Sequence, residues 1–234
     1  MPKLFITGDT HAHIDIGKLA SKNWKKGASL TRNDCLIIVG DFGLVWSEKS
    51  ETEIYYRNWL NTKPWTTLFV DGNHENHEAL RRFPIKEKFN GLVSEIMPNI
   101  FWLRRGEVYE INGKKIFTFG GAQSTDRIYR TEGISWWPRE IPSDEEYQNG
   151  WKNLAKHDNE VDIVVSHTIC HNEVANFIDG GNVFHGNRMF DPTCFMLQDF
   201  KDKIQFKDWY FGHYHTDKTI GKFHCLYQRI EEII

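Results

Sequence analysis

Residues 8–13 read GDTHAH and directly follow the short apolar run Leu4-Phe5-Ile6. Two metal-binding patterns overlap here. His11 and His13 form an H-x-H pair, and Asp9 and His11 form a D-x-H pair. The first suits the opening strand of a closed barrel, the second the edge of an open sheet. What stands at the ends of the later strands decides between them.

Residues 4–7, 35–39, 66–70, 161–166 and 209–211 are short runs rich in β-branched and aromatic residues, and they read as strands. Their unbroken apolar character suits strands buried on both faces. Residues 107–111 and 115–119 flank Asn112-Gly113, a strong hairpin signal, and 218–230 reads as another hairpin turning near Gly221. Helices are expected at 51–60, at 75–82, after the capping box Ser143-Asp144-Glu145-Glu146, and from Pro192. Strands and helices alternate early and hairpins gather later, which suggests a layered sheet with helices outside.

The ligand-competent residues fall where those strands end: Gly8-Asp9-Thr10-His11, Gly40-Asp41, Gly72-Asn73-His74-Glu75, Ser166-His167 and Gly212-His213-Tyr214-His215. Ligands of open α/β sheets bind outside the carboxyl ends of the strands, so these loops should converge on one edge. A glycine precedes the polar residue in four of the five blocks, permitting a sharp turn or a close backbone approach.

Two aspartates, one asparagine and four histidines supply oxygen and imidazole nitrogen without thiolate. That set suits Mn, Fe, Co, Ni or Zn better than Ca or Mg. Seven donors exceed the needs of one tetrahedral ion and fit two ions sharing a carboxylate. Two divalent ions, two aspartates and a bridging hydroxide leave a residual charge of about +1, which attracts a phosphate ester and stabilises its in-line transition state. Such a centre generates hydroxide at neutral pH, so no side-chain nucleophile is required. The chain has no G-x-S-x-G to supply one.

In this order the blocks resemble the calcineurin-like metallophosphoesterase superfamily, whose pattern is D-x-H, G-D, G-N-H-[ED], H and G-H-x-H. The match runs from residue 8 to residue 215. The resemblance implies an α/β (α+β) fold, a four-layer αββα sandwich of two mixed β-sheets flanked by helices. It also implies that Asp9, His11 and His215 hold one metal and Asn73, His167 and His213 the other, with Asp41 bridging. His74 would stand beside the pair, protonating the leaving oxygen or stabilising the transition state. Imidazole can supply that proton near neutral pH.

Two departures narrow the reading. Protein Ser/Thr phosphatases of the superfamily carry G-D-x-V-D-R-G, whereas the second block here reads GDFGLVW, without the second aspartate or the arginine. A protein phosphatase is therefore disfavoured. Position 12, commonly glycine, is Ala12, followed by His13. An amidohydrolase barrel would use both His11 and His13, but gives no reason for GNHE or GHYH. His13 is read as a rim residue.

The stretch 120–142 is too long for a simple turn and reads as a substrate-rim loop. Arg127 and Arg130 are candidates to grip phosphate, and Trp136 and Trp137 to stack on an aromatic group. A second insert, 171–191, holds His171, Gly180-Gly181, His185 and Arg188 and is also placed at the rim. Residues 22–26 (KNWKK) read as a solvated basic face.

A single metallophosphoesterase domain over 1–234 is expected, because no linker, repeat or low-complexity segment interrupts the chain. Hydrophobic residues make up 40% and charged residues 26%, an ordinary globular composition. The net charge of −3 does not point to nucleic acid, which stays open only as a substrate. No apolar run approaches the about 20 residues that span a bilayer, so no membrane partner is expected. From four scattered cysteines and an N-terminal stretch that does not read as a signal peptide, a cytoplasmic location is expected. The expected activity is hydrolysis of a phosphodiester or phosphomonoester, of a small molecule or nucleotide, with two divalent ions, manganese first. The rival is a scaffold of the same fold without catalysis, and the intact donor set argues against it.

Overall fold

The computed structural model describes residues 2–47, 49–178 and 191–233. Its strands are β1 (Leu4–Thr7), β2 (Cys35–Ile38), β3 (Thr66–Phe69), β4 (Ile85–Lys88), β5 (Gly91–Met97), β6 (Ile100–Leu103), β7 (Glu107–Ile111), β8 (Lys114–Phe119), β9 (Ile163–Ser166), β10 (Asp208–Phe211), β11 (Lys218–Ile220), β12 (Phe223–Cys225) and β13 (Ile230–Ile233). The helices are α1 (Glu51–Asn61), α2 (His77–Leu80), α3 (Asp144–Ala155), α4 (Val174–Phe177) and α5 (Pro192–Lys203).

The strands form two mixed sheets, in the orders β13-β1-β2-β3-β6-β5-β4 and β11-β12-β10-β9-β8-β7. Each has a parallel centre, β1-β2-β3-β6 in one and β8-β9-β10-β12 in the other. The expected sandwich is therefore present, and the barrel alternative is overturned, because the strands do not close into one sheet.

Side-chain alternation builds the layers. Leu4 and Ile6 of β1, Ile37 of β2 and Leu68 of β3 meet Ile116, Ile163, Val165 and Tyr210 of the second sheet. Phe5, Leu36, Ile38 and Phe69 face the other way, against Leu60 of α1 and Leu80 of α2. On the far side Phe117, Phe119, Val164 and Trp209 pack against Leu154 of α3 and Leu197 and Phe200 of α5. The Phe200 ring lies 4.9 Å from Phe117, 5.1 Å from Phe119 and 4.6 Å from Trp151, and truncating such a residue costs about 3–5 kcal/mol.

Local signals explain several boundaries. Asn112 and Gly113 take φ of 52° and 78°, the type I′ geometry that joins β7 to β8. The capping box at Ser143 and Glu146 starts α3, and Pro192 occupies the first turn of α5 with Asp191 as its cap. The helix expected at 75–82 is one turn only, His77–Leu80, and its start is set by the Asn76 side chain, which accepts from Ala79 N. The hairpin turning at Gly221 is β11-β12, but Ile230 belongs to β13, which leaves that sheet to pair antiparallel with β1. The meander β4-β5-β6 extends the first sheet where no strands were expected. Among the described residues no helix is long and apolar enough to cross a membrane, and all four cysteines are free and buried.

Candidate metal centre

Five of the parallel strands at the middle of the sandwich end in the polar blocks: β1 in Asp9 and His11, β2 in Asp41, β3 in Asn73 and His74, β9 in His167, β10 in His213 and His215. The blocks are tied together by backbone as well as side chain. His11 N donates to Asp41 O at 2.8 Å, and Gly212 N to His167 O at 2.9 Å.

Tight approach dictates the glycines. At Gly40, φ is +105° and a Cβ would lie 2.0 Å from His167 Nδ1. At Gly212 a Cβ would lie 2.0 Å from Asp9 Oδ1. Strain is concentrated here too: His11, Ala12, Asp41, His213 and His215 all have positive φ, at a cost on the order of 1–2 kcal/mol each.

A donor atom from each of Asp9, His11, Asp41 and His215 lies within 4.8 Å of the others. His11 Nε2 is 3.2 Å from Asp41 Oδ2, and His215 Nε2 is 3.4 Å from Asp9 Oδ2. A second group adjoins it. His167 Nε2 is 3.2 Å from Asn73 Oδ1 and 3.3 Å from Asp41 Oδ1, and its ring stands 4.9 Å from that of His213. The two oxygens of Asp41 therefore face different groups.

Asp9 and Asp41 are fully buried, and their neighbours are imidazoles and backbone N–H groups. Buried carboxylates of this kind need cations. Burial alone would lower the His11 and His167 pKa values, but the carboxylates outweigh it, holding His11 up at about 9 and His167 at about 10. Burial likewise pushes Asp41 up, and the charges of His167 and His74 carry it well below the usual carboxylate range. A set of oxygen and imidazole donors around buried negative charge fits divalent ions of the first transition row.

Supporting residues escaped the sequence reading. Asp15 Oδ2 holds His11 Nδ1 at 2.8 Å, orienting the ring so that Nε2 turns inward. Lys18 Nζ donates to the carbonyls of Gly8 and Asp9 at 2.9 and 2.8 Å, pinning the first block. Asn73 Nδ2 donates to Ser124 Oγ at 3.2 Å, and Ser124 Oγ donates in turn to buried Glu140 at 2.6 Å. The only local signal for these was Asp15 at i+4 from His11.

His74 stands at the rim, its ring 5.6 Å from that of His11, and its backbone N–H donates to Asp41 Oδ1 at 2.8 Å. Burial lowers its pKa, which the Asp41 charge opposes and the Arg130 charge reinforces. Arg130 Nη2 lies 3.4 Å from His74 Nδ1, while Nε is held by Asp126 at 2.7 Å and Nη1 by Ser135 O at 3.0 Å. The loop 120–142 thus brings Arg130 to the centre. Arg127 faces Glu140 at 3.4 Å and covers the Trp136 ring at 5.1 Å. Trp137 is 5% exposed and packs edge-on against Trp46, so it anchors the loop rather than presenting a face to a ligand.

His13 is exposed at the edge of a cleft that also includes His11 and His74. His171 does not pair with His167: it opens a short 3-10 turn and stacks on Phe195 at 4.3 Å. Gly180-Gly181, His185 and Arg188 lie outside the described residues. In the basic stretch Lys22 and Lys25 are exposed, and Lys26 pairs with Glu232.

The fold and the clustered donors agree with the sequence pattern of the calcineurin-like phosphoesterases, which matches residues 2–217, and the chain belongs to that family. One solved structure aligns at a TM-score of 0.53 with 11% identity, over 97% of this chain and 90% of that one, a likeness of fold alone. A protein of unknown function from Aquifex aeolicus aligns at 0.36 with 17% identity, covering 88% of both chains. The Thermus thermophilus sulfate thiohydrolase SoxB, solved with glycerol, aligns at 0.42 with 11% identity, over 97% of this chain and 51% of that one. No curated protein matches the chain.

Proposed function

We propose that the protein is a two-metal phosphoesterase that hydrolyses a phosphodiester or phosphomonoester, with a small phosphodiester or a nucleotide favoured. The observation that carries this reading is Asp41, whose Oδ2 faces His11 at 3.2 Å and whose Oδ1 faces His167 at 3.3 Å. One carboxylate placed between two donor groups is what a shared ligand of two ions requires.

In this reading Asp9, His11 and His215 would hold one ion, Asn73, His167 and His213 the other, and Asp41 would be shared. Bound ions, manganese first among the candidates, supply Lewis acidity and activate water at neutral pH. Water oxygen forms the new P–O bond and the P–O bond to the leaving group breaks. His74, standing beside the donor cluster, is placed to deliver a proton to the departing oxygen. Arg130, fixed by Asp126 and Ser135, offers Nη2 to a non-bridging phosphate oxygen beside His74. The four buried thiols suit a reducing compartment, which supports a cytoplasmic location.

The test is hydrolysis of bis(p-nitrophenyl) phosphate and p-nitrophenyl phosphate by metal-stripped protein with and without Mn(II). Turnover of either ester that appears only with metal supports the reading. Absence of turnover of both esters with Mn, Fe, Co, Ni and Zn contradicts it and returns the chain to the scaffold class.

A further inference from the structure

Beside the donor cluster, a cleft of about 380 Å³ opens directly from His11 and His74. That volume lies in the range of small-ligand sites, about 300–1,000 Å³. Its lining includes Ala12, His13, Ile14 and Trp46, together with Ser50 and Thr52 at the start of α1. Ile14 is 71% exposed, an apolar side chain that folding leaves uncovered at the mouth. His13 lies near-parallel to Tyr56, their ring centres 6.4 Å apart. Trp46 is half-buried, its ring braced by Trp137 at 4.9 Å.

Charge sets the chemistry of the occupant. Among the described residues, no lysine or arginine lines this cleft. The carboxylate among the described lining residues, Glu53, is engaged by the N–H groups of Trp46 and Ser47 at 2.7 and 3.1 Å and by Arg57 at 3.5 Å. A second phosphate or a carboxylate on the occupant would find no cationic side chain, only the Ser50 and Thr52 hydroxyls and an engaged carboxylate, whereas a neutral ring would meet a tryptophan, an imidazole and an isoleucine.

We infer that this cleft is the leaving-group subsite and that the substrate is a phosphate ester whose departing alcohol is neutral and carries a planar aromatic ring. The inference rests on the phosphoesterase reading, because it places the ester oxygen at His74 and the ring beyond it. Arg130 holds the phosphate from the rim loop, so phosphate recognition and leaving-group recognition fall to different segments. Trp137, read from sequence as a stacking residue, serves this subsite indirectly by bracing Trp46.

The full-length Mn(II)-loaded protein is titrated calorimetrically with two non-hydrolysable probes, 4-nitrobenzylphosphonate and methylphosphonate. The expected result is at least tenfold tighter binding of the nitrobenzyl compound. Ile14→Ser, at an exposed position, then weakens the nitrobenzyl compound five- to tenfold and methylphosphonate less than twofold, and His13→Ala acts in the same direction from the same wall. Equal affinity of the two probes in the wild type overturns the subsite and leaves the phosphoesterase reading standing. Binding of neither probe overturns the subsite, and overturns the phosphoesterase reading with it only if the same preparation also fails to turn over bis(p-nitrophenyl) phosphate.

Discussion

Asn73 donates its side-chain amide to the Ser124 hydroxyl at 3.2 Å, which turns its oxygen toward His167 Nε2, also at 3.2 Å. Ser124 is held by Glu140 from the far end of the rim loop, through both its N–H and its hydroxyl. The loop that carries Arg130 therefore also orients a proposed metal ligand. Ser124→Ala frees the amide to rotate. Loss of such a supporting partner costs on the order of 10–100-fold in metal affinity. Calorimetric titration with Mn(II) should show the weaker of two binding events shifted by that factor and the other unchanged. Two unshifted events would remove Ser124 from the account.

Arg130→Ala should lower kcat/KM by about 10²-fold while leaving metal content at the wild-type value, since the guanidinium contacts His74 and not the donors. Arg130→Lys keeps the charge without the planar fork and should recover only part of that loss. Metal analysis beside steady-state kinetics separates this from a folding defect. A variant that keeps full kcat/KM contradicts the phosphate-gripping role.

Gly40→Ala meets two obstacles at once, a φ of +105° and a Cβ 2.0 Å from His167 Nδ1. The ring cannot retreat freely, because Nδ1 is also bonded to Val39 O at 2.9 Å. The expected outcome is loss of at least one bound ion per chain together with a lower Tm. Gly113→Ala is the control, since nothing lies within 4 Å of a Cβ there, and it should cost only the strain of its positive φ.

Away from the centre, a network joins buried Asp71 and Arg105 to the partly exposed Glu146 and Arg81. Burial raises the Glu146 pKa, but Arg105 and Arg81 outweigh it and bring the carboxyl from 4.5 down to about 2. A depressed carboxylate contributes its full stability above its unfolded value and loses it as pH falls through the folded one. Glu146→Gln should therefore cost on the order of 3 kcal/mol at pH 7. That gap should narrow as pH falls from 4.5 to about 2. Denaturant unfolding of both proteins across that range measures it, and a gap independent of pH would refute the assignment.

The sequence was most readable where chemistry and strand geometry coincide. β1, β2, β3, β9 and β10 are apolar on both faces and each runs into a ligand-competent residue, so strand and site announced each other. The meander was not legible. β4 reads Ile85-Lys86-Glu87-Lys88 and is exposed along its length, so no burial pattern marks it as a strand. Long-range polar partners left no local trace either: Arg105 reaches Asp71 across 34 positions and Glu146 across 41. Trp136-Trp137 looked like a stacking pair because adjacent aromatic rings in a loop suggest a ligand, and only packing shows that Trp137 is used on Trp46.

Asp41 is the residue on which a two-ion centre depends. Inductively coupled plasma analysis of Mn(II)-reconstituted wild type and Asp41→Asn, read beside bis(p-nitrophenyl) phosphate turnover, tests it directly. Two ions per wild-type chain are expected, fewer than two in the variant, and turnover that disappears with the lost ion. A wild type that binds one ion or none at saturating Mn(II), or a variant that keeps both ions and full turnover, would contradict a shared carboxylate at the heart of the site.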